Sequence, residues 1–520
     1  MSKSYGDELP TQEMTQTTLP ADPAPSVKAS QIPVTNPVTG AVIGHMPESD
    51  AAAVTAAVER ARQAQVAWSA RSVRDRAKLL RTWADRVWER RADLIDIIRH
   101  ETGKVETGAL LEILSVDHVA SYYAHRAPRW LRLQARKAII PLLHRAQVIY
   151  KPHGVVGLIT PWNYPYLLLF LDLLPALIAG NTAVIKPSEV TPFTAEWGVG
   201  LMHEVGVPAD VVQIVHGRGA TGAELIEHVD FVAFTGSTAT GRKVAQRAAE
   251  RLVPYSMELG GKDPALVLAD ANLDITASEL LRAAFENAGQ ACLSIERAYV
   301  VEPVYDALLE RLRHHAQKLI VSGKGGMEAH VGSLTNQREL QRTESHLADA
   351  LAKGARKLTG GHTRPDLGPL FYEPTILADC DHSMLLMQEE TFGPLLPLVK
   401  VADADEAVRL ANDSDYGLSA SVFSRDLRAA RQLAARLNCG DVHINRAQIN
   451  IGAPDLPTGG QRASGIGRRN GYQGLMKYVS SQSIMTDSRI LQPPSLTLFD
   501  PLSYWATMRL RVLRRWLPFL

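Results

Sequence analysis

The chain of 520 residues has little of what marks secreted, membrane-spanning or nucleic-acid-binding proteins. Its three cysteines, Cys292, Cys380 and Cys439, are few and odd in number, which does not fit a disulfide framework and favours a reducing, cytoplasmic location. No segment reaches the run of about 18 apolar residues that a transmembrane helix needs. The formal net charge is only +1, so the whole chain gives no electrostatic reason to expect nucleic acid as a partner.

The N-terminal segment also lacks an apolar run that could serve as a signal peptide. Residues 1–29 are rich in Thr, Pro and acidic side chains, and we expect a flexible tail there. The remaining composition is ordinary for a globular protein, with 46% hydrophobic and 21% charged residues. Because domains usually contain ~100–200 residues, the length predicts two or three of them.

Hydrophobic periodicity predicts helices first and an α/β pattern after them. Apolar residues at helical spacing predict helices over 50–67 and 75–100. Further along, short apolar runs such as 154–159 and 182–187 alternate with helical segments, and the block 261–471 repeats this texture. Fully apolar strands that alternate with helices indicate a parallel sheet covered on both faces. Ligands of such sheets bind at the carboxyl ends of the strands, where the motifs described next are found.

Cys292 lies in GQACLSIER, among small residues directly after a predicted helix. A thiolate is a good nucleophile toward a carbonyl carbon, and the small neighbours leave room for a substrate. A lone cysteine is more often a buried small hydrophobic residue, so this motif alone does not establish a catalytic site.

Two strand ends carry side chains that could assist such a nucleophile. Glu258 in MELGGKDP closes an apolar strand before two glycines, where a carboxylate can act as a movable general base. Asn163 in TPWNYP follows the strand 154–159, and its amide hydrogens could hold a developing oxyanion. In isolation, Glu258 could equally be a solvated turn residue, and Asn163 a turn former before Pro165.

Two more strand ends carry groups suited to a nucleotide. In FTGSTATG, Gly236, Ser237 and Gly241 surround a strand-to-helix turn whose N–H groups suit a pyrophosphate, although the spacing is not G-x-G-x-x-G. In VIKPSE, Lys186 and Glu189 could hydrogen-bond ribose hydroxyls, and the Glu189 carboxylate would repel a 2′-phosphate.

Glu390 in QEETFGP could bind a second ribose, or it could be a surface charge before a turn. No single motif is decisive, but together they resemble the aldehyde dehydrogenase superfamily. MELGGK is followed, 34 residues after its glutamate, by Cys292 in GQACLSIER. PWNYP, KPSE, FTGS, EETFGP and GG…SGIGR (459–468) stand in the family's order and at its spacing. The resemblance covers roughly residues 30–487.

The resemblance implies an α/β fold of three parts. A Rossmann-like cofactor domain would comprise residues 30–125 and 150–260, and an α/β catalytic domain would comprise residues 261–471. The segments 126–149 and 472–487, which contain strand-like stretches, would form a small β element for oligomerisation. Members of the family are dimers or tetramers, so we expect a homodimer or homotetramer.

The resemblance also implies a reaction, the NAD(P)-dependent oxidation of a small-molecule aldehyde to its carboxylic acid. Cys292 would attack the aldehyde, and the Asn163 amide with the Cys292 N–H would hold the oxyanion. Hydride transfer to the nicotinamide would leave a thioester, and Glu258 would activate the water that hydrolyses it. Branches that pass the acyl group to coenzyme A lack this glutamate, so its presence favours hydrolysis. No metal ion is expected.

The implied cofactor is NAD, with NADP as the alternative, because relatives with the equivalent of Glu189 sometimes accept both. Lys186 and Glu189 would bind the adenosine ribose, Ser237 the pyrophosphate, and Glu390 the nicotinamide ribose. The resemblance extends the predicted cofactor site to Thr160, Trp162, Ser188, Gly236, Gly241, Leu259 and Phe392.

The substrate side departs from the family pattern. Thr458 in LPTGG stands where the family often has an aromatic residue that packs against the aldehyde. Arg446 could bind the carboxylate of a short semialdehyde, or it could form a structural salt bridge. A set of apolar side chains predicts instead a channel for a medium or long apolar aldehyde: Tyr166, Leu167, Phe170 and Leu293.

The C-terminal tail, residues 488–520, lies beyond the family core. In its last part, 503–520, apolar residues cluster on one side of a helical wheel and most arginines lie on the other. This segment is too short to span a bilayer, but such a pattern is typical of a helix that lies at a membrane surface. Membrane contact would favour a long-chain aldehyde. The alternative is a helix packed on its own subunit.

Two other functions compete with the dehydrogenase. One is a family member that has lost catalysis and acts as a binding protein, and the presence of Cys292, Glu258 and Asn163 argues against it. The other is an esterase that uses the same thiolate. Esterase activity would persist without NAD, which distinguishes it.

Overall fold

The computed structural model describes residues 30–138 and 144–487, together with Trp505, Met508 and Arg509. Its helices are α1 Ala51–Ala70, α2 Val73–Glu89, α3 Arg91–Thr102, α4 Glu106–Trp130, α5 Pro165–Ala179, α6 Pro192–Glu204, α7 Gly219–Ile226, α8 Thr238–Glu250, α9 Leu273–Phe285, α10 Glu302–Ala316, α11 Gln337–Ala352, α12 Leu385–Gln388, α13 Ala404–Asn412, α14 Leu427–Ala434 and α15 Gly471–Met476.

Short 3-10 turns lie at Ala209–Val211, Glu286–Gly289, Ile449–Gly452 and Arg462–Ser464. The strands are β1 Gln31–Thr35, β2 Val42–Pro47, β3 Gln134–Arg136, β4 His144–Pro152, β5 Val155–Ile159, β6 Thr182–Lys186, β7 Val212–Ile214, β8 Phe231–Thr235, β9 Tyr255–Glu258, β10 Asp263–Val267, β11 Ile295–Val301, β12 Arg356–Thr359, β13 Thr375–Ala378, β14 Leu395–Val401, β15 Ser419–Phe423, β16 Asp441–Ile444, β17 Gly465–Ile466 and β18 Val479–Asp487.

Two largely parallel sheets organise the molecule, as the apolar strands predicted. The first has the strand order β17-β9-β8-β5-β6-β7, in which only β17 runs antiparallel to its neighbour. The second has the order β12-β13-β14-β11-β10-β15-β16, in which only β12 is antiparallel. A separate antiparallel sheet, β18-β4-β3, joins the segment 134–152 to the segment 479–487. The predicted α/β class is therefore confirmed.

Helix α5 shows why the first sheet has a deep core. Pro165 opens the helix, where a proline costs no hydrogen bond, and Gly180 ends it at φ 100°, a left-handed conformation that favours glycine. Every residue of α5 is buried, and its one charged residue is Asp172. A helix that is apolar on all sides must be covered on all sides, and α5 packs among β5, β6, α2, α4 and α6.

Two sequence predictions of secondary structure need correction. The helix predicted over 75–100 is two helices, α2 and α3, because Arg90 leaves the helical conformation at φ −102° and ψ 21°. The apolar spacing continues across this break, so periodicity could not reveal it. The strand-like segment 126–149 begins inside α4, and only its later part contributes β3 and β4.

Both predicted tails fall outside the described residues, apart from three positions near the C-terminus. There, Trp505, Met508 and Arg509 are helical, and the Arg509 guanidinium lies 4.6 Å from the centre of the Trp505 ring. Contact of the segment 503–520 with a membrane surface stays a prediction. Within the part of the chain that the structure describes, no helix is both long and apolar enough to cross a membrane.

Candidate active site

A cavity of about 610 Å³ opens at the carboxyl ends of β5, β6 and β8. Most of the residues predicted for the site line it: Thr160, Trp162, Asn163, Lys186, Ser188, Glu189, Gly236, Ser237, Leu259, Cys292, Glu390 and Phe392. Glu258 and Gly241 are not in this lining. The structure therefore brings together motifs that are more than 200 residues apart in the sequence.

Cys292 is held at the cavity by an unusual turn. Asn287 and Ala288 both have positive φ angles, 51° and 54°, and Gly289 follows with φ 76°. A side chain at Gly289 would come within 2.2 Å of the Gly393 carbonyl oxygen, so this turn requires glycine. Burial raises the pKa of the half-buried Cys292 thiol to about 12, and nearby carboxylates add to the rise. The thiol must therefore lose its proton to a base before it can attack a carbonyl.

Asn163 is fixed by hydrogen bonds on both its backbone and its side chain. Its Nδ2 donates to the Gln290 carbonyl at 3.0 Å, and its own carbonyl accepts from Asn287 Nδ2 at 3.0 Å. Gln290 is fully buried and is held in turn by Asn287, Ser333 and Thr335. The amide is thus oriented by the same turn that carries the cysteine.

A buried ion pair supports the Asn163 loop from the other side. Lys104 Nζ donates to the Asn163 carbonyl at 2.9 Å and to Glu112, and both charged side chains are fully buried. The second oxygen of Glu112 accepts from the N–H groups of Tyr166 and Leu167, at 3.1 and 2.9 Å. Glu112 therefore caps the start of α5 from a different helix. Sequence reasoning missed this pair because nothing in the sequence distinguishes it from exposed helix charges.

Glu258 is the last residue of β9 and is only 8% exposed. Its Oε1 is buried without a hydrogen-bond partner. A Cβ at Gly459 would lie 2.9 Å from this oxygen, so the glycine leaves the space that the carboxylate occupies. Burial raises the pKa of Glu258 to about 7, although the cations of Arg469 and Lys477 act against the rise. A carboxylate with this pKa can take up and release a proton near neutral pH.

Part of the cavity lining carries the groups that the sequence analysis assigned to a dinucleotide. Ser237 caps α8 by accepting from Thr240 N, and the free N–H groups at this helix start suit a pyrophosphate. Lys186 Nζ forms an ion pair with Glu189 at 3.4 Å, so both ribose-binding candidates lie together. Gly241 does not line the cavity. It lets helix α8 pack closely on Leu259, because a Cβ there would collide with Leu259 Cδ2 at 2.3 Å.

Glu390 lines the cavity, and its carboxylate lies beside Gly260. Its Oε1 accepts from Gly261 N at 2.9 Å, and burial together with Glu296 raises its pKa to about 8. Phe392, with φ 54°, packs edge-on against Trp162 at 5.6 Å between ring centres. Glu390 and Phe392 both line the cavity, and their contact with the nicotinamide side of a cofactor stays a prediction. Among the described residues, no group of three or more His, Cys, Asp or Glu side chains could hold a metal ion.

The prediction of an apolar channel was mostly wrong. Tyr166 and Phe170 are at most 1% exposed and pack on Trp83 inside the core, at 6.1 and 4.6 Å between ring centres. Leu167 is 2% exposed in the same core. A fully apolar helix has no free face, so its residues could not be divided into lining and core from sequence. Leu168, which the sequence analysis did not single out, does line the cavity.

Arg446 is paired with an acidic side chain in a salt bridge. Its Nη1 lies 3.1 Å from Glu279, whose carboxylate also accepts from Arg282. Arg282 in turn contacts Glu286 at 2.8 Å, so two cations are balanced by two anions. The structural salt bridge, one of the two interpretations of Arg446, is the one observed.

Asp172 and Arg469 were also missed by sequence reasoning. They form a buried ion pair close to Glu258. One sequence signal was available, since Asp172 interrupts the apolar run YLLLFLDLLPALIA in α5. No comparable signal marks its partner, which lies 297 residues further along the chain.

Comparison with known proteins extends the likeness to whole chains. A model of the aldehyde dehydrogenase family matches residues 25–484. A Mycobacterium ulcerans (strain Agy99) protein, named as a putative NADP(+) succinate-semialdehyde dehydrogenase, is 40% identical over 480 residues, which cover 92% of each chain. The 4,4'-diapolycopene aldehyde oxidase of a Methylomonas species is 40% identical over 477 residues, covering 89% of this chain and 87% of that protein.

A solved structure agrees with these sequence matches. Betaine aldehyde dehydrogenase from Staphylococcus aureus, in complex with NAD+, superposes with a TM-score of 0.85 at 32% identity. The alignment covers 90% of this chain and 94% of that one.

Proposed function

The chain belongs to the aldehyde dehydrogenase family and is an NAD(P)-dependent enzyme, and we propose that it oxidises an apolar aldehyde to its acid through a thioester on Cys292. The observation that carries this proposal is the cavity at the strand ends, where Cys292 and the Asn163 amide lie among groups suited to a dinucleotide. Overall, the aldehyde, water and oxidised cofactor would become the acid, reduced cofactor and a proton.

Each step uses a group whose position or pKa suits it. The Cys292 thiol releases its proton to solvent at the open cavity, and the thiolate attacks the aldehyde carbon. The Asn163 amide and the Cys292 N–H stabilise the resulting oxyanion. The bound nicotinamide supplies the hydride acceptor. Glu258, with its raised pKa, then removes a proton from the water that hydrolyses the thioester and passes this proton to the departing Cys292 thiolate.

The charge balance at Arg446 supports an apolar aldehyde. Arg446 and Arg282 already pair with Glu279 and Glu286, so their charges are balanced without a substrate carboxylate. Leu168 lines the cavity and adds apolar surface to it. The name of the Methylomonas relative refers to a long apolar aldehyde. A short semialdehyde is the second candidate, because the mycobacterial relative is named for one.

For the cofactor, we propose that NAD is preferred over NADP. A carboxylate at the adenosine ribose repels a 2′-phosphate, and Glu189 would supply that charge. The ion pair with Lys186 partly neutralises Glu189, so the preference should be moderate.

We further propose that the chain forms a homodimer or homotetramer through the sheet β18-β4-β3. Strand β18 lies at the edge of this sheet, and all its residues after Val479 are exposed. An edge strand presents unpaired N–H and C=O groups that a second chain can pair with. Light scattering that gives the mass of a single 56.9 kDa chain would contradict this proposal.

The substrate is tested by following reduced-cofactor absorbance over a series of aldehydes, from succinic semialdehyde to long aliphatic chains, with NAD and with NADP. We expect kcat/KM to rise with chain length, and the Cys292→Ala variant to be inactive throughout. A clear preference for the semialdehyde would instead select the second candidate. Ester hydrolysis without cofactor, in the absence of any aldehyde oxidation, would overturn the dehydrogenase reaction itself.

A further inference from the structure

A cluster of buried charged side chains lies next to Glu258. Asp172, the one charged residue of α5, pairs with Arg469 and Lys477, and the three side chains are 5%, 7% and 12% exposed. Burying charge is costly unless every group is paired and hydrogen-bonded. The position of this cluster therefore calls for a reason beyond the packing of an otherwise apolar helix.

Both oxygens of Asp172 are fully used. Oδ2 accepts from Nε and Nη2 of Arg469, at 3.0 and 2.6 Å. Oδ1 accepts from Lys477 Nζ at 2.8 Å and from the Tyr478 hydroxyl at 2.7 Å. One carboxylate thus holds two cations, and the cluster carries a net positive charge. The two-pronged contact also fixes the orientation of the guanidinium.

Arg469 connects this cluster to the proposed base. Its Nη2 also donates to Thr235 Oγ1, and Thr235 pairs with Glu258 across strands β8 and β9. The backbone of Arg469 exchanges two hydrogen bonds with Thr458, at 2.7 and 2.9 Å. The next residue, Gly459, provides the space for Glu258 Oε1. The same segment of chain therefore positions both the guanidinium and the carboxylate.

The balance of charges around Glu258 depends on this cluster. Burial raises the pKa of Glu258 to about 7, and Arg469 exerts the largest opposing effect, followed by Lys477. Asp172 and Asp441 raise the pKa of Glu258, in the same direction as burial. The titratable and charged groups that face Glu258 from the surrounding elements are Arg469, Lys477, Asp172, Asp441, Arg468 and Cys292.

We propose that Arg469 is a positioning residue for Glu258: locked in place by Asp172 and Thr235, its guanidinium keeps the buried carboxylate ionised and therefore able to accept the proton of the hydrolytic water. This inference rests on the proposed role of Glu258 as the general base. Arg469 contacts neither substrate nor cofactor in this account, and acts only through the carboxylate.

The competing explanation is that these ion pairs only tie two segments of the chain together and stabilise the fold. Arg469 and Lys477 connect the chain around α15 to α5, and such a tie would stabilise the fold without affecting proton transfer. The two explanations differ in the pH dependence of turnover. Loss of a tie lowers the rate or the yield at every pH, whereas loss of a charge beside the base moves the pH at which the base ionises.

The test compares full-length Arg469→Met and Arg469→Lys with the unaltered enzyme. In Arg469→Met, Lys477 and Tyr478 still hold Asp172, so no buried carboxylate is left without a partner. Arg469→Lys keeps a cation but loses the two-pronged contact. For each protein, kcat is measured from pH 6 to 10 with saturating aldehyde and cofactor, and the first turnover is followed by rapid mixing.

For Arg469→Met, we expect the ascending limb of the kcat profile to move to higher pH by about one to three units, the usual effect of an adjacent opposite charge. At pH 7 this variant should still form one reduced cofactor per active site in a rapid burst, because only deacylation is slowed. Arg469→Lys should lie between the two profiles. If Arg469→Met does not fold, the intermediate shift in Arg469→Lys decides alone.

If the ascending limb of the kcat profile stays at the same pH in the folded variants, Arg469 does not have the proposed role. The Glu258→Gln variant shows whether the role of Arg469 alone is wrong or whether Glu258 is not the general base. If Glu258→Gln turns over at the unaltered rate, Glu258 is not the base and both proposals fall. If Glu258→Gln loses steady turnover while the Arg469 variants keep their limb, only the role of Arg469 is wrong.

Discussion

At the scale of single residues, the site depends as much on missing side chains as on reactive ones. Gly289 allows the turn before Cys292 to approach the Gly393 carbonyl, and Gly459 leaves room for Glu258 Oε1. The sequence indicated the reactive groups because their motifs are local. It could not assign the glycines a purpose, since the atoms they approach come from distant parts of the chain.

Gly459→Ala should disturb deacylation selectively. The new Cβ would lie 2.9 Å from both Glu258 Oε1 and the Gly467 carbonyl oxygen, at a φ of 147° that side chains rarely adopt. We expect kcat to fall by about ten- to a hundredfold, the scale produced when a reacting group is displaced by about 1 Å. Steady-state kinetics at saturating substrate would measure it.

Gly200→Ala is the matched control for this substitution. Gly200 is exposed in α6, and a Cβ there would meet no atom within 4 Å. Helix propensity predicts a gain of roughly 0.5–1 kcal/mol in the free energy of unfolding, with activity unchanged. Equal kinetic losses in both variants would mean that crowding at Glu258 is not the cause.

At the scale of elements, the strands and most helices could be predicted because their periodicity is strong and local. The exceptions have physical reasons. The break between α2 and α3 leaves the apolar spacing intact. The fully buried α5 gave no periodicity that separates its faces, so Tyr166 and Phe170 were predicted to line a channel and instead form the core.

The start of helix α5 is capped by a buried ion pair, Lys104–Glu112, which the sequence did not reveal. Glu112→Gln would leave the Lys104 ammonium buried without its counter-charge and would weaken the cap on Tyr166 and Leu167. Breaking a buried pair in this way costs about 3–5 kcal/mol. We expect a loss of this size in denaturant unfolding, together with slower acylation, because Lys104 also holds the Asn163 carbonyl.

Glu59→Gln provides the comparison for this loss. Glu59 lies exposed on α1, where charge removal should change the free energy of unfolding by at most ~0.5 kcal/mol. Similar stability for Glu112→Gln and Glu59→Gln would show that the buried pair does not support the loop.

At the scale of the whole molecule, the fold places the ends of many strands around one cavity. Because parallel strands end at the same edge of a sheet, motifs at strand ends could be assigned to one site from sequence. The Asp172–Arg469 pair could not, since its members are 297 residues apart and neither stands at the end of a strand of the first sheet. Long-range pairs of this kind depend on how the elements pack, which the sequence pattern does not encode locally.

The thioester on Cys292 is tested by the intact mass of Glu258→Gln after rapid mixing with aldehyde and NAD, quenched in acid. We predict that most chains gain the mass of one acyl group on Cys292, matched by one reduced cofactor per chain. Cys292→Ala should gain no mass under the same conditions. Reduced cofactor formed without an acylated cysteine would contradict the thioester mechanism.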